Sequence, residues 1–335
     1  MKVIRLHASG DMRLHDEPVP TPGEGEALLR MTAIGVCGSD LHWFKESGIG
    51  DARLTHPLVL GHEFAAVIQD GERKGQRVAV DPALPCEVCE FCKEGNPNFC
   101  TALRFAGHSD TDGALRETMT WPRRCLHTLP DSMSDDDGAM LEPLGVALHA
   151  IGLAHLRPGL TVGVYGCGPI GLLVVQLARA SGATRIIATD KLPHRVEAAR
   201  SCGAAVTFQS QGGTETPEIW AATDQRGVDV AFEVAGENDA VETAIETAKP
   251  GGKVILVGIP SVDRTEFTAS TARRKGLTIK LSRRMKLTYP RAIRLVERGI
   301  VDVRSLVTAQ YPLDQFKEAF SAADRREGHK IVIHP

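Results

Sequence analysis

The sequence predicts an α/β protein of two domains: a β-rich domain, and a doubly wound parallel-sheet domain inserted before its end. Three observations carry that prediction. The chain has 335 residues, enough for two domains. Near residue 150 its pattern changes from short, Gly- and Pro-punctuated runs to continuous apolar strands alternating with helices. Just beyond the change, a G-x-G-x-x-G string joins an apolar strand to a helix.

In the first part, EALLRMTAIGV and QRVAVDPAL read as short strands with irregular connections, a barrel-like arrangement. The one acidic run, Asp135-Asp136-Asp137, reads as a solvated helix start, where carboxylates suit the helix dipole. From Leu160 onward, TVGVYGCG is an apolar strand running into glycines, and PIGLLVVQLARASG an apolar helix with a glycine stop. RIIATD is the next strand and LPHRVEAARSCG the next helix, with Pro193 in its first turn. VDVAFEVAG and KVILVGIP are later strands, separated by the helix NDAVETAIETAKPGG. After residue 282 the alternation stops, and a short helix (YPRAIRLVERG) and a terminal strand (KIVIHP) close the chain. The expected domains are therefore 1–148, 149–282, and a return to the first over 283–335. The sequence shows no internal repeat.

Charge excludes some functions. With 39 Lys+Arg against 42 Asp+Glu the net charge is −3, without the basic excess that a nucleic-acid or anionic-membrane partner would leave. The N-terminus lacks an apolar stretch of signal-peptide length, and no run of about 18 apolar residues occurs. The expectation is a cytoplasmic protein whose eight cysteines are thiols or metal-bound thiolates rather than disulfides.

The string GCGPIG places Gly166, Gly168 and Gly171 around Pro169 and Ile170, and Asp190 ends the following strand 19 residues after Gly171. In this context Gly166 permits a tight turn, Gly168 lets the backbone approach a pyrophosphate, and Gly171 lets helix and strand pack closely. The helix N-terminus adds amides and a positive dipole for phosphate. A carboxylate at Asp190 can accept the adenosine ribose hydroxyls and repel a 2′-phosphate, which selects NAD; Lys191 and Arg195 soften that repulsion. A helix-capping Asp190 would occupy the same position.

Cys86, Cys89, Cys92 and Cys100 follow C-x2-C-x2-C-x7-C spacing within a lobe spanning residues 85–101. An iron–sulfur site of bacterial type would continue with a three-residue gap and Cys-Pro, whereas here the gap is seven and Thr101 follows. Four thiolates on a tetrahedral zinc fit the spacing and leave no position for substrate, so the expected site is structural. Cys125, Cys167 and Cys202 read as packing residues.

Quieter residues lie in GVCGSDLH, LGHEFAAV and AMLEPLGVALH: Cys37, His62, Glu63 and Glu142. Each has a plain alternative as a buried thiol, a loop histidine or a helix cap. Together with the dinucleotide domain, these segments resemble the zinc-dependent medium-chain dehydrogenase/reductase family, and within it the sorbitol (polyol) dehydrogenase branch. The resemblance runs over essentially the whole chain. It implies a GroES-like catalytic domain, a Rossmann domain, NAD, and two zinc ions per chain. Catalytic zinc would be held by Cys37, His62 and Glu63, with Glu142 as fourth ligand or as holder of the zinc-bound water. Ser39 would relay the substrate proton, with His42 extending the relay, and Asp40 would orient His62. Val234 and Gly258 join the implied cofactor contacts, with Pro169, Ile170 and Arg195. Arg284 would contact the hydroxyls of a polyol or the carboxylate of a sugar acid, although Met285 stands where the branch commonly has an aromatic. Trp43 and Phe44 read equally as pocket wall or core. The implied reaction is reversible oxidation of a secondary alcohol to a ketone, with L-threonine 3-dehydrogenase as alternative, in a homotetramer or else a dimer.

Overall fold

The chain folds as two units in the computed structural model, which describes residues 1–335: Met1–Pro143 with Lys286–Pro335, and Leu144–Met285. The first opens with an antiparallel hairpin of β1 (Lys2–Ala8) and β2 (Asp11–Asp16). Its main sheet is built on β3 (Glu26–Gly35), β4 (Glu63–Ile68), β5 (Arg77–Val80), β6 (Thr118–Pro122) and β7 (Leu126–Thr128). Helix α1 (Gly38–Glu46) lies between β3 and β4 in sequence. After β7 come α2 (Asp135–Ala139) and α3 (Leu141–Ala154).

The acidic run does begin a helix, but it is not wholly solvated. Asp137 is 2% exposed. Its Oδ2 accepts the Ser134 N–H at 2.8 Å while Ser134 Oγ accepts the Asp137 N–H at 3.1 Å, a reciprocal cap at the start of α2. Arg304 Nη2 completes the site 2.6 Å from the same carboxylate.

The second unit alternates strand and helix in chain order: β8 (Thr161–Tyr165), α4 (Pro169–Ala180), β9 (Arg185–Asp190), α5 (Pro193–Ser201), β10 (Val206–Gln209), α6 (Thr216–Ala222), β11 (Val228–Glu233), α7 (Asn238–Thr247), β12 (Ala248–Leu256), α8 (Ala269–Lys275) and β13 (Thr278–Leu281). The strands pair in parallel in the order β10-β9-β8-β11-β12-β13. The order reverses between β8 and β11, the switch point at whose carboxyl ends doubly wound sheets bind their ligands. Helix α7 stops at Thr247, so AKPGG belongs to β12 and not to the helix; Pro250 cannot donate within a helix and Gly251 has φ 71°. Strands β10 and β13 had no sequence signal because both are half-exposed edges with no continuous apolar run.

The chain then returns to the first unit through α9 (Tyr289–Glu297), β14 (Val307–Pro312), α10 (Phe316–Asp324) and β15 (Lys330–His334). The sheet there runs β7-β5-β4-β3-β15-β14, with β6 also on β3. Val332 and Ile333 of β15 pair with Gly35 and Ile34, seating the last strand beside the end of β3. Trp43, Phe64 and Phe320 are among the largest side chains of its core. No helix is long and apolar enough to cross a membrane.

Candidate functional site

Strand pairing gathers the scattered residues. Gly35 is registered against Glu63, so the end of β3 meets the start of β4. Cys37 is the N-cap of α1, and His62 immediately precedes β4. The donor atoms of Cys37, His62 and Glu63 lie within 4.8 Å of one another. A Cβ on residue 35 would fall 2.2 Å from Glu63 Oε2, so glycine there leaves room for the carboxylate.

Asp40 organises the group from behind. Its Oδ2 accepts the Cys37 N–H at 2.9 Å, and its Oδ1 accepts the Gly61 N–H at 3.2 Å and lies 3.3 Å from His62 Nδ1. One buried carboxylate therefore fixes both donor-bearing segments and engages the ring nitrogen remote from Ser39, whose Oγ is 3.4 Å from His62 Nε2. Burial alone would lower the His62 pKa, but Asp40 and Cys37 outweigh it and hold it well above the usual value. A metal at this imidazole must displace a proton. One thiolate, one imidazole and one carboxylate form a donor set that suits zinc.

Sequence reasoning missed Lys330. Its Nζ is buried and donates to Glu63 Oε1 at 2.8 Å, Glu63 Oε2 at 2.6 Å and the Val36 carbonyl at 3.2 Å. Burial lowers the Lys330 pKa, yet Glu63 and Cys37 raise it more, so the ammonium stays charged. A lysine opening KIVIHP carries no local signal of this role, because its partner lies 267 residues away.

The other expected residues distribute as follows. Glu142 is 5% exposed, its carboxyl pushed up to about 7 by burial with Glu63 adding to it, and it lies outside the three-donor group. His42 bonds Glu46 through Nδ1 at 3.2 Å, one turn along α1. Trp43 is a core aromatic, edge-on to His108 at 5.4 Å, and the partly buried Phe44 packs against that core, edge-on to Phe320 at 5.5 Å. The ring beside the imidazole is instead Phe105, 5.4 Å from His62. Arg284 belongs to the second unit and holds φ at 52°, a left-handed backbone uncommon for a non-glycine residue.

The four clustered cysteines also converge, their Sγ atoms within 4.8 Å of one another. Cys86 N–H points at Cys100 Sγ (3.2 Å) and Cys89 N–H at Cys86 Sγ (3.4 Å). The Val88 and Cys89 amides draw the Cys86 thiol down to about 6, while burial pushes Cys92 up to about 12. Of the remaining thiols, Cys125 and Cys167 are buried and Cys202 partly so, and all eight cysteines are free of disulfides.

In the second unit the glycine loop fits a dinucleotide. Gly166 has φ 102°, and a Cβ on Gly171 would lie 1.9 Å from the Gly166 carbonyl oxygen, so neither position admits a side chain. Gly168 caps α4, and a Cβ there would meet only Arg195 Nη1 at 3.7 Å, leaving the loop open where phosphate would approach. Asp190 Oδ2 accepts the Cys167 N–H at 2.8 Å and Oδ1 the Leu192 N–H at 2.9 Å. The carboxylate thus anchors the loop with one oxygen and the approach to α5 with the other.

Comparison with known proteins decides the family. Residues 23–131 match the alcohol dehydrogenase GroES-like domain, and residues 169–298 the zinc-binding dehydrogenase model. Sorbitol dehydrogenase of Bacillus subtilis is 36% identical over 343 residues, covering 100% of this chain and 97% of that protein. The chain belongs to the zinc-dependent medium-chain dehydrogenase/reductase family. Within that family it falls in the sorbitol dehydrogenase-like branch. L-idonate 5-dehydrogenase of Escherichia coli K-12 superposes with a TM-score of 0.92 at 28% identity, over 100% of this chain and 98% of that one. A Sinorhizobium meliloti chain solved with NADP bound superposes with a TM-score of 0.90 at 29% identity, over 100% and 99%. As a medium-chain dehydrogenase, the protein is a zinc- and nicotinamide-dependent alcohol oxidoreductase.

Proposed function

We propose that the enzyme oxidises a secondary alcohol of a polyol, sugar alcohol or sugar acid to the ketone, reversibly, with NAD as hydride acceptor. The observation that carries this reading is the Cys37–His62–Glu63 group with Ser39 against its imidazole, in a chain 36% identical end to end to a sorbitol dehydrogenase. Cys37, His62 and Glu63 would hold catalytic zinc, which when bound would supply a Lewis acid that acidifies the substrate hydroxyl. Ser39 Oγ takes the hydroxyl proton and hands it toward His42 and solvent. Asp40 keeps His62 aligned, and Glu142 is either a fourth ligand or the group that holds the zinc-bound water. Cys86, Cys89, Cys92 and Cys100 hold a second, structural zinc whose four thiolates exclude substrate.

Gly166, Gly168, Pro169, Ile170 and Gly171 cradle the pyrophosphate, with Arg195, Val234 and Gly258 completing the cofactor contacts. Asp190 has accepted one amide per oxygen and retains lone pairs for ribose hydroxyls, which favours NAD over NADP. Asp190→Ala should lower the NAD:NADP ratio of kcat/KM by about tenfold, the worth of a hydrogen bond to a charged group; an unchanged ratio would refute the ribose role. Arg284 pairs with substrate hydroxyls or a carboxylate. We assign the protein to the cytoplasm and to a homotetramer. The unpaired outer edge of β13, with Leu281 75% exposed, supports association, and a monomer in sedimentation would rule it out.

The direct test is NAD reduction over a panel of short and medium polyols, sugar acids and L-threonine, repeated with Arg284→Ala. Turnover confined to polyols or sugar acids, with KM raised by the substitution, is the expected result. Turnover of L-threonine alone would replace this reading; the relatives do not favour it.

A further inference from the structure

Three loops leave the carboxyl edge of the parallel sheet beside its switch point: Gly166–Gly168 after β8, Val234–Glu237 after β11, and Val257–Pro260 after β12. Their backbones touch. A Cβ on Gly258 would lie 2.1 Å from the Gly236 nitrogen, and one on Gly166 would lie 2.7 Å from the Ala235 nitrogen. These contacts are main chain against main chain, and the closest of them joins the 234–237 and 257–260 loops.

Glu233, the last residue of β11, ties them from beneath. It is 1% exposed. Its Oε1 accepts the Ala235 N–H at 2.7 Å and the Gly236 N–H at 2.6 Å. The Glu237 and Gly258 amides also bear on the carboxylate. Its main-chain carbonyl accepts Val257 N–H at 2.8 Å and Gly258 N–H at 3.2 Å. Burial disfavours the charge while these amides favour it. A single residue thus fixes two successive loops, one through its side chain and one through its backbone.

In a doubly wound sheet each half takes one mononucleotide. Asp190 ends β9, so adenosine belongs over the β8–β9–β10 half and nicotinamide over the β11–β12–β13 half. We infer that Glu233 is a positioning residue for the nicotinamide half of the cofactor, acting through the 234–237 and 257–260 loops; the inference rests on the dinucleotide reading above.

The test is Glu233→Gln in the zinc-loaded enzyme, with NADH and ADP-ribose titrated in parallel. ADP-ribose carries the adenosine, pyrophosphate and second ribose but no nicotinamide. Glutamine preserves the shape and the Oε1 acceptor, but can turn a donor toward amides that also donate. NADH affinity is expected to fall about tenfold, as for one charge-assisted hydrogen bond. ADP-ribose affinity and zinc content should stay at wild-type level, and KM for NAD should rise more than kcat falls. Glu233→Asp keeps the charge with a shorter reach and should show the same selective loss, which covers failure of the glutamine variant to fold. Equal losses for both ligands would reveal a general structural role and overturn the inference, as would no loss at all. Wild-type enzyme that binds neither ligand would instead sink the dinucleotide reading, and the inference with it.

Discussion

Replacing Cys37 or His62 by Ala is expected to cut turnover by at least about a thousandfold, since the Lewis acid supplies several kcal/mol of transition-state stabilisation. Each variant should retain one zinc per chain against two in the wild type, and NADH affinity should change by less than about twofold. The expectation follows from the layout of the sites. Cys37 and His62 belong to the three-donor group of the first unit, whereas the glycine loop and Asp190 are built within the second. Losing either donor leaves two, too few to hold a zinc ion that takes three or four protein ligands. Metal analysis, steady-state rates and NADH titration of the same preparations decide it. Retained activity, or loss of both zinc ions, would contradict the division into a working and a structural metal.

Removing the charge at Lys330 should have the second largest effect, and zinc should mask most of it. Lys330→Met leaves Glu63 buried at 1% exposure without the ammonium that bonds both of its oxygens. Breaking one side of a buried pair costs about 3–5 kcal/mol. In chelator-treated enzyme the melting temperature should therefore fall well below that of chelated wild type. If Glu63 is a zinc ligand, as proposed, the metal gives it a second cation, and in loaded enzyme the gap should shrink to a fraction of that. Thermal melts of both proteins with and without chelator supply the four values needed. Equal melting temperatures in chelator would show that the pair contributes nothing, and an equal drop in both states would show that Glu63 does not face the metal.

The two predictions differ in how far their residues could be read from the sequence. Gly166, Gly168 and Gly171 declare themselves because their constraints are local: a positive φ, a helix start and a contact between residues five apart in sequence. The four clustered cysteines are legible for the same reason, with one amide-to-sulfur bond closing over three residues and another over fourteen. Cys37, His62 and Glu63 were legible only as a set, through resemblance to a family, since each type has an ordinary use elsewhere. The acidic run gave its helix correctly, but not the burial of Asp137, nor its pairing with Arg304, 167 residues along the chain.

By itself, the sequence determined the α/β class, the alternation of the second unit, the glycine loop and the four-cysteine set, because period, turn chemistry and ligand spacing act over a few residues. Tertiary structure alone decided which side chains face the donors. It paired Lys330 with Glu63, set Phe105 rather than Trp43 or Phe44 against His62, and buried Glu233 beneath two loops. The physical reason is that a buried charge is stabilised by whatever opposite charge or amide the fold brings within about 3 Å. Strand pairing, not sequence distance, chooses that neighbour.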